Sequence, residues 1–351
     1  MPAGPRPQTL LSCHSVTQQT AAVYSQLLAE FDQILEQQQL RPVTPNQWDD
    51  VLARHLDSLF LAAGSRDMAT KLVAAVIWRN PTLSRASGTR LALTRQALRG
   101  WLRLEPAGSR LPLPYCVICA LVMLFLNDGR RDLALLVLFS VEIYARPAEP
   151  LRLRVADFVP PRRGGSRSLR QASVVMHPLE LGKPAKNLEF DETLLFDLPR
   201  HGPLVKAMTD FVKDRPADDM LFKVDPVEFA TALSNAEVRL GLEPLGHLHP
   251  YRFRHTGASH DFLEKERDLQ AIQRRGRWRD VRSIRRYEKG GRVGQLFARL
   301  PEKLRLHAER CERLVPEVLR GRRSASLAPW PSPSSSTSSA AKAGSRKRSR
   351  T

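Results

Sequence analysis

The chain has 351 residues, 42% of them hydrophobic, which allows two domains with cores of their own and excludes a wholly disordered protein. Its formal charge of +19 favours a polyanionic partner over an acidic small molecule. Four cysteines, Cys13, Cys116, Cys119 and Cys311, are too few for a disulfide framework in a chain this long and point to a reducing compartment.

Residues 1–16 read as a disordered leader without the apolar segment of a secretory signal. From Thr17 the pattern is helical. Val23, Leu27, Phe31 and Leu35 fall four apart and predict an amphipathic helix. Asn46 is the expected cap of a second helix, which ends near Gly64. Segments 67–78 and 90–104 read as a third and a fourth. Residues 17–108 are therefore expected to form a small helical domain, followed by a Pro/Gly/Ser linker over 106–114.

The longest apolar run, Cys116–Leu126, is too short to span a bilayer. Its Cys116 and Cys119 form a CxxC with no second ligand pair nearby, so both read as core cysteines rather than zinc or redox ligands. Helices are expected over 115–129 and 132–145. Segments 168–181 and 188–197 read as two strands joined by a turn at 181–187. Helices then resume at 204–212 and 227–240, inside 249–265, and at 267–275. The fold class is mainly α with a small β-sheet, an α+β arrangement. His247, His249 and His260 are too scattered to argue for a metal site. Residues 323–351 have the composition of a disordered tail and end in RKRSR, which is similar to a nuclear localisation signal. A soluble, nuclear protein is the expectation.

The most basic stretch is RRGRWRDVRSIRRYEKGGR, residues 274–292, around Trp278 and Tyr287. Asp268 is the expected cap of a helix that stops at Gly276. Asp280 is the expected cap of another, over 281–289, with Arg282, Arg285, Arg286 and Lys289 on one face. Like charges at that spacing repel, and phosphates along the face would reverse the sign. Arg274, Arg275, Arg277, Arg282, Arg285 and Arg286 are the DNA-binding candidates.

The preceding helix carries Tyr251, Arg254 and His255 in HPYRFRHT, and Trp278 stands nine residues before Tyr287. With ARPAEPLRLRVADF, which holds Arg146 and Glu149, these motifs resemble the tyrosine recombinases of the phage-integrase type. The resemblance covers about 113–300. It implies a catalytic domain there, a core-binding DNA-binding domain over 17–108 and a C-terminal helical extension over 301–322. The form RRGRW followed by RRYEK, with a basic Ser-rich tail, is similar to integrase-like proteins of eukaryotic mobile elements.

What the resemblance implies is site-specific cleavage and rejoining of double-stranded DNA through a covalent 3′-phosphotyrosine, with no metal or cofactor. Tyr287 would be the nucleophile. Arg146 and Arg254 would grip the non-bridging oxygens, a task that suits planar guanidinium forks. Lys186, with Lys183 as the alternative, would protonate the leaving 5′ oxygen. Trp278 would donate its indole N–H to the phosphate, and Glu149 would orient the residue at position 251. The family usually has His there. Tyr251 is a departure, because a phenol is a poor base at neutral pH. His255 reads as a structural hydrogen-bonding residue in support. A homo-oligomer on DNA is expected, assembled through 295–318, with neither a membrane nor a small-molecule substrate involved. Two other readings stand beside this one. One is a recombinase fold that binds DNA without cutting it. The other is a type IB topoisomerase.

Overall fold

The computed structural model describes residues 9–106, 111–162, 164, 166–182, 190–280, 284–288, 290–328 and 330. Lys183, Lys186, Arg282 and Lys289 lie outside the described residues, as do the side chain of Arg286, residues 1–8 of the leader and most of the tail. The protein is mainly helical with one small antiparallel sheet. It divides into two compact units, Met1–Ser109 and Arg110–Thr351.

The first unit has a short α1 (Leu10–Cys13) and four longer helices, α2 (Gln18–Gln37), α3 (Pro45–Leu61), α4 (Arg66–Arg79) and α5 (Ala92–Leu104). Leu27, Leu28, Phe31 and Leu35 form the buried stripe of α2. The cap of α3 is Thr44 rather than Asn46. The Thr44 side chain accepts from the Gln47 amide, Gln47 returns the bond, and Pro45 opens the helix. Buried Asp49 on α3 accepts from the Leu93 and Thr94 amides at 2.9 Å, so α3 supplies the anion at the N-terminus of α5.

The second unit is built around α6 (Tyr115–Asn127) and α7 (Arg131–Glu142). Every residue of α6 from Cys116 to Phe125 is buried, as is every residue of α7 from Leu133 to Glu142. A helix apolar on all sides is a central one. Cys116 and Cys119 lie in this core, and burial pushes the Cys116 thiol up to about 12. Around the pair stand α8 (Gly202–Val212), α9 (Pro226–Leu240), α10 (Tyr251–Leu263), α11 (Leu269–Arg275), α12 (Gly290–Ala298) and α13 (Glu302–Leu319).

The sheet has the order β1-β2-β3, with β1 at Phe158–Val159, β2 at Ser173–Met176 and β3 at Glu192–Leu195. Both pairings are antiparallel, and Val174 lies opposite both Phe158 and Leu194. The two-residue β1 is too short to show an alternation in sequence. Among the described residues, no helix is long and apolar enough to cross a membrane.

The helix expected over 281–289 is corrected by the structure. The stretch after Asp280 shows no α-helix among its described residues, only a 3-10 turn over Arg285–Glu288. Helix α13 buries one face within its own unit. Its Leu304, Ala308, Cys311, Leu314, Val315 and Leu319 are buried in the core of its own unit, where it packs against α6 and α8.

Candidate active site

Helix α10 delivers three of the candidate residues, and Gly257 determines how closely it can lie on the end of α7. A Cβ at that position would fall 2.0 Å from the Val141 carbonyl oxygen and 2.7 Å from the Tyr144 ring. With hydrogen there instead, the Arg254 guanidinium reaches the Tyr144 carbonyl oxygen at 2.5 Å from Nη1 and the Gly276 carbonyl oxygen from Nη2. Arg254 is 1% exposed, and its Nε has no partner within the protein. Burial, then the like charges of Arg277 and Arg146, bring its pKa down to about 10, so it remains a cation at neutral pH.

Arg146 follows the same α7 end. Its backbone N–H and its Nη1 each donate to Glu149 at 2.6 Å. Arg277 donates from Nη2 to the same carboxylate at 2.7 Å, and Glu192 lies 3.4 Å from its Nη1. The Nε of Arg277 is buried without a partner. His177, just after β2, places its Nε2 3.7 Å from the Glu149 carboxylate. Burial works to raise the Glu149 carboxyl, but His177, Arg277 and Arg146 outweigh it and hold it at about 2.

Three non-glycine residues of this region, Tyr144, His177 and Arg277, have φ of 50°, 55° and 55°. The left-handed region is unfavourable for such side chains, at about 1–3 kcal/mol each, and such strain clusters at functional sites.

Asp268 caps α11 as expected, accepting from the Ala271 amide at 2.7 Å. Gly276 ends the helix for a different reason than expected. Its φ is −83°, which any residue adopts, and the left-handed residue is Arg277. The glycine is needed because Trp278 folds back over it, and a Cβ would fall 1.6 Å from Cζ3 of the indole. There Trp278 stacks on Arg254, with the guanidinium carbon 4.2 Å from the ring centroid. On another side its ring centroid lies 5.3 Å from that of Tyr287.

Tyr287 is fully buried, packed with Tyr144, Ala258, Ile272 and Ile284. Its hydroxyl oxygen is 2.7 Å from Nδ1 of His255, which is 3% exposed. Tyr251 lies one helical turn before His255, ring centroids 5.0 Å apart. The structure thus brings Arg146, Glu149, Tyr251, Arg254, His255, Trp278 and Tyr287 into one connected cluster. It adds Arg277 and His177, which motif reading placed elsewhere or passed over.

The basic candidates divide. Arg274 and Arg285 are exposed and open to a phosphate. Arg275 is not a surface contact. It is 7% exposed, and its guanidinium donates to the carbonyl oxygens of Glu142 and Leu195 at 2.8–3.1 Å. Arg277 is likewise turned inward onto Glu149, its side chain 3% exposed. In both cases burial overrides what the charge run implies.

No family model matches this chain, and no curated protein matches it. Among solved structures, the crystal structure of XerA recombinase matches with a TM-score of 0.37 and 15% identity. The match covers 82% of this chain and 94% of that one. At that score the likeness is loose, and residue roles do not transfer across it.

Proposed function

We propose that the chain cleaves and rejoins duplex DNA through a covalent phosphotyrosine at Tyr287, as a site-specific tyrosine recombinase. The observation that carries the reading is the cluster of three guanidiniums, Arg146, Arg254 and Arg277, beside a histidine-paired tyrosine. The buried Nε donors of Arg254 and Arg277 have no acceptor within the protein. Unmet buried donors are costly, and a phosphate is an anion with acceptors to spare. Arg146, half-buried, and Arg254 would bind the non-bridging oxygens, where preorganised donors act on developing charge. Trp278 would wall the pocket. Lys186 or Lys183 would protonate the leaving oxygen. The helical first unit, exposed Arg274 and Arg285, and the basic tail would hold the duplex, with affinity dominated by phosphate contacts and sensitive to salt. Oligomer formation on DNA and action in the nucleus belong to the same proposal.

A second reading is favoured by a specific observation. Tyr287 is fully buried and both terminal nitrogens of Arg254 are engaged by backbone carbonyls. A fold fixed in that state would bind DNA without cutting it. A pool of nicked duplexes separates the two. Wild type, without added metal, should give an adduct that survives denaturation, and Tyr287→Phe should give none. Tight, salt-sensitive binding by both proteins with no adduct from either would favour the binding protein.

A further inference from the structure

We propose that His255 is the proton acceptor for Tyr287, its Nδ1 taking the phenol proton as the tyrosine oxygen attacks phosphorus. This inference rests on the strand-cleaving reading above. Its ground is geometric. Nδ1 of His255 stands 2.7 Å from the Tyr287 oxygen, within the reach required of a general base. Both side chains are buried, at 3% and 0% exposure, so packing fixes their relative position. The pairing bridges α10 and the 3-10 turn over Arg285–Glu288, two elements that pack on each other.

Chemistry points the same way. Position 251, which motif reading singles out for proton transfer, holds a phenol. Phenols ionise only near pH ~10, so they accept protons poorly at neutral pH. An imidazole, with an ordinary pKa of ~6.5, accepts one readily. Tyr251 and His255 are four apart on α10 and therefore share a face. Their rings meet at 64° with centroids 5.0 Å apart. The imidazole is one turn further along the helix than the residue it would replace, and that turn places it against the nucleophile.

The bond from the Tyr287 oxygen to phosphorus forms, and the bond from phosphorus to the 5′ oxygen breaks. The phenol proton ends on Nδ1, which requires the imidazole to carry its resting proton on Nε2. The leaving 5′ oxygen takes a separate proton, from Lys183, Lys186 or water. On rejoining, the 5′ hydroxyl attacks phosphorus and gives its proton back to the group that supplied it, the phosphotyrosine bond breaks, and Nδ1 returns its proton to Tyr287.

Three proteins, wild type, His255→Asn and His255→Gln, would be tested in single-turnover cleavage of two nicked duplexes. One duplex is ordinary and the other has sulfur in place of the 5′-bridging oxygen. A sulfur leaving group needs no acid but does nothing for the nucleophile. Both variants should form adduct on the order of 10²-fold more slowly than wild type on both duplexes, with DNA binding unchanged. A rate within about threefold of wild type on the ordinary duplex would overturn the assignment, since general bases contribute far more. So would recovery on the sulfur duplex, which would make His255 an acid. If the variants do not fold, the nitrogen-15 spectrum of the wild-type histidine decides. A hydrogen-bonded, unprotonated Nδ1 at neutral pH supports the proposal, and a protonated Nδ1 overturns it. Failure of wild type to form adduct would remove the strand-cleaving reading and this inference with it. Equal adduct from all three proteins would remove this inference alone.

Discussion

The Arg277 guanidinium lies 2.7 Å from the Glu149 carboxylate, although the two residues come from distant parts of the chain and both side chains are nearly fully buried. Against the burial that would raise it, His177 and the two arginines hold the Glu149 pKa at about 2 in the folded protein, below its ordinary value of 4.5. A depressed carboxylate stabilises the fold above its unfolded pKa and loses that contribution as pH falls through the folded one. The size is about 3 kcal/mol at neutral pH. Glu149→Gln should therefore unfold at lower urea than wild type at pH 7. The gap should narrow as pH falls from about 4.5 to about 2. Urea melts of both proteins across that range check it.

Gly276→Ala should displace Trp278. A methyl group at that position overlaps the indole, with no room on the ring side. Overpacking of this kind costs about 1–3 kcal/mol. The stacking of Trp278 on Arg254 would be lost as well, so the variant should form adduct more slowly than its lowered melting temperature explains. Thermal melts combined with adduct assays below the melting point separate the two effects.

Arg275 and its neighbours should behave oppositely. Arg275→Ala removes three hydrogen bonds to the backbone carbonyls of Glu142 and Leu195, the two to Glu142 buried, and should cost about 2–4 kcal/mol of stability. Arg274→Ala and Arg285→Ala should alter stability by less than about 0.5 kcal/mol. Each should instead weaken DNA binding and lower the salt slope by about one. Denaturation and salt-titrated binding on the same three proteins give the comparison.

Leu304→Ala should destabilise the second unit by about 2–5 kcal/mol, since Leu304 is 1% exposed in the main core. Removing α13 altogether should unfold that unit, because α13 closes its main core. Thermal melts of the variant and truncated proteins against wild type check both.

The residues explain why some of this was legible in the sequence. Apolar periodicity marks α2, and an unbroken apolar run marks α6, because burial of a face or of a whole helix leaves a pattern within one segment. The cap of α11 was legible because Asp268 acts three residues away. The cap of α3 is ambiguous in sequence because Asn46 and Thr44 are both good caps, and Pro45 decides in favour of Thr44. The inward turn of Arg275 and Arg277 was hidden, since their partners, Glu142, Leu195 and Glu149, are remote in sequence. The face of α13 was visible as amphipathic, but amphipathicity does not say which chain covers it. The sequence shows His255 only as support, because its contact with Tyr287 depends on a turn that brings α10 and Tyr287 together. The signal available was its place four residues after Tyr251, on the same helical face. His177 had no motif, only its position at the end of β2.

The most direct test is to trap the covalent adduct, digest it with protease and nuclease, and read the modified peptide by mass spectrometry. A nucleotide is expected on Tyr287, in the fragment that follows Trp278, with Tyr251 and Tyr144 unmodified. A nucleotide on Tyr251, or on any residue other than Tyr287, would contradict it.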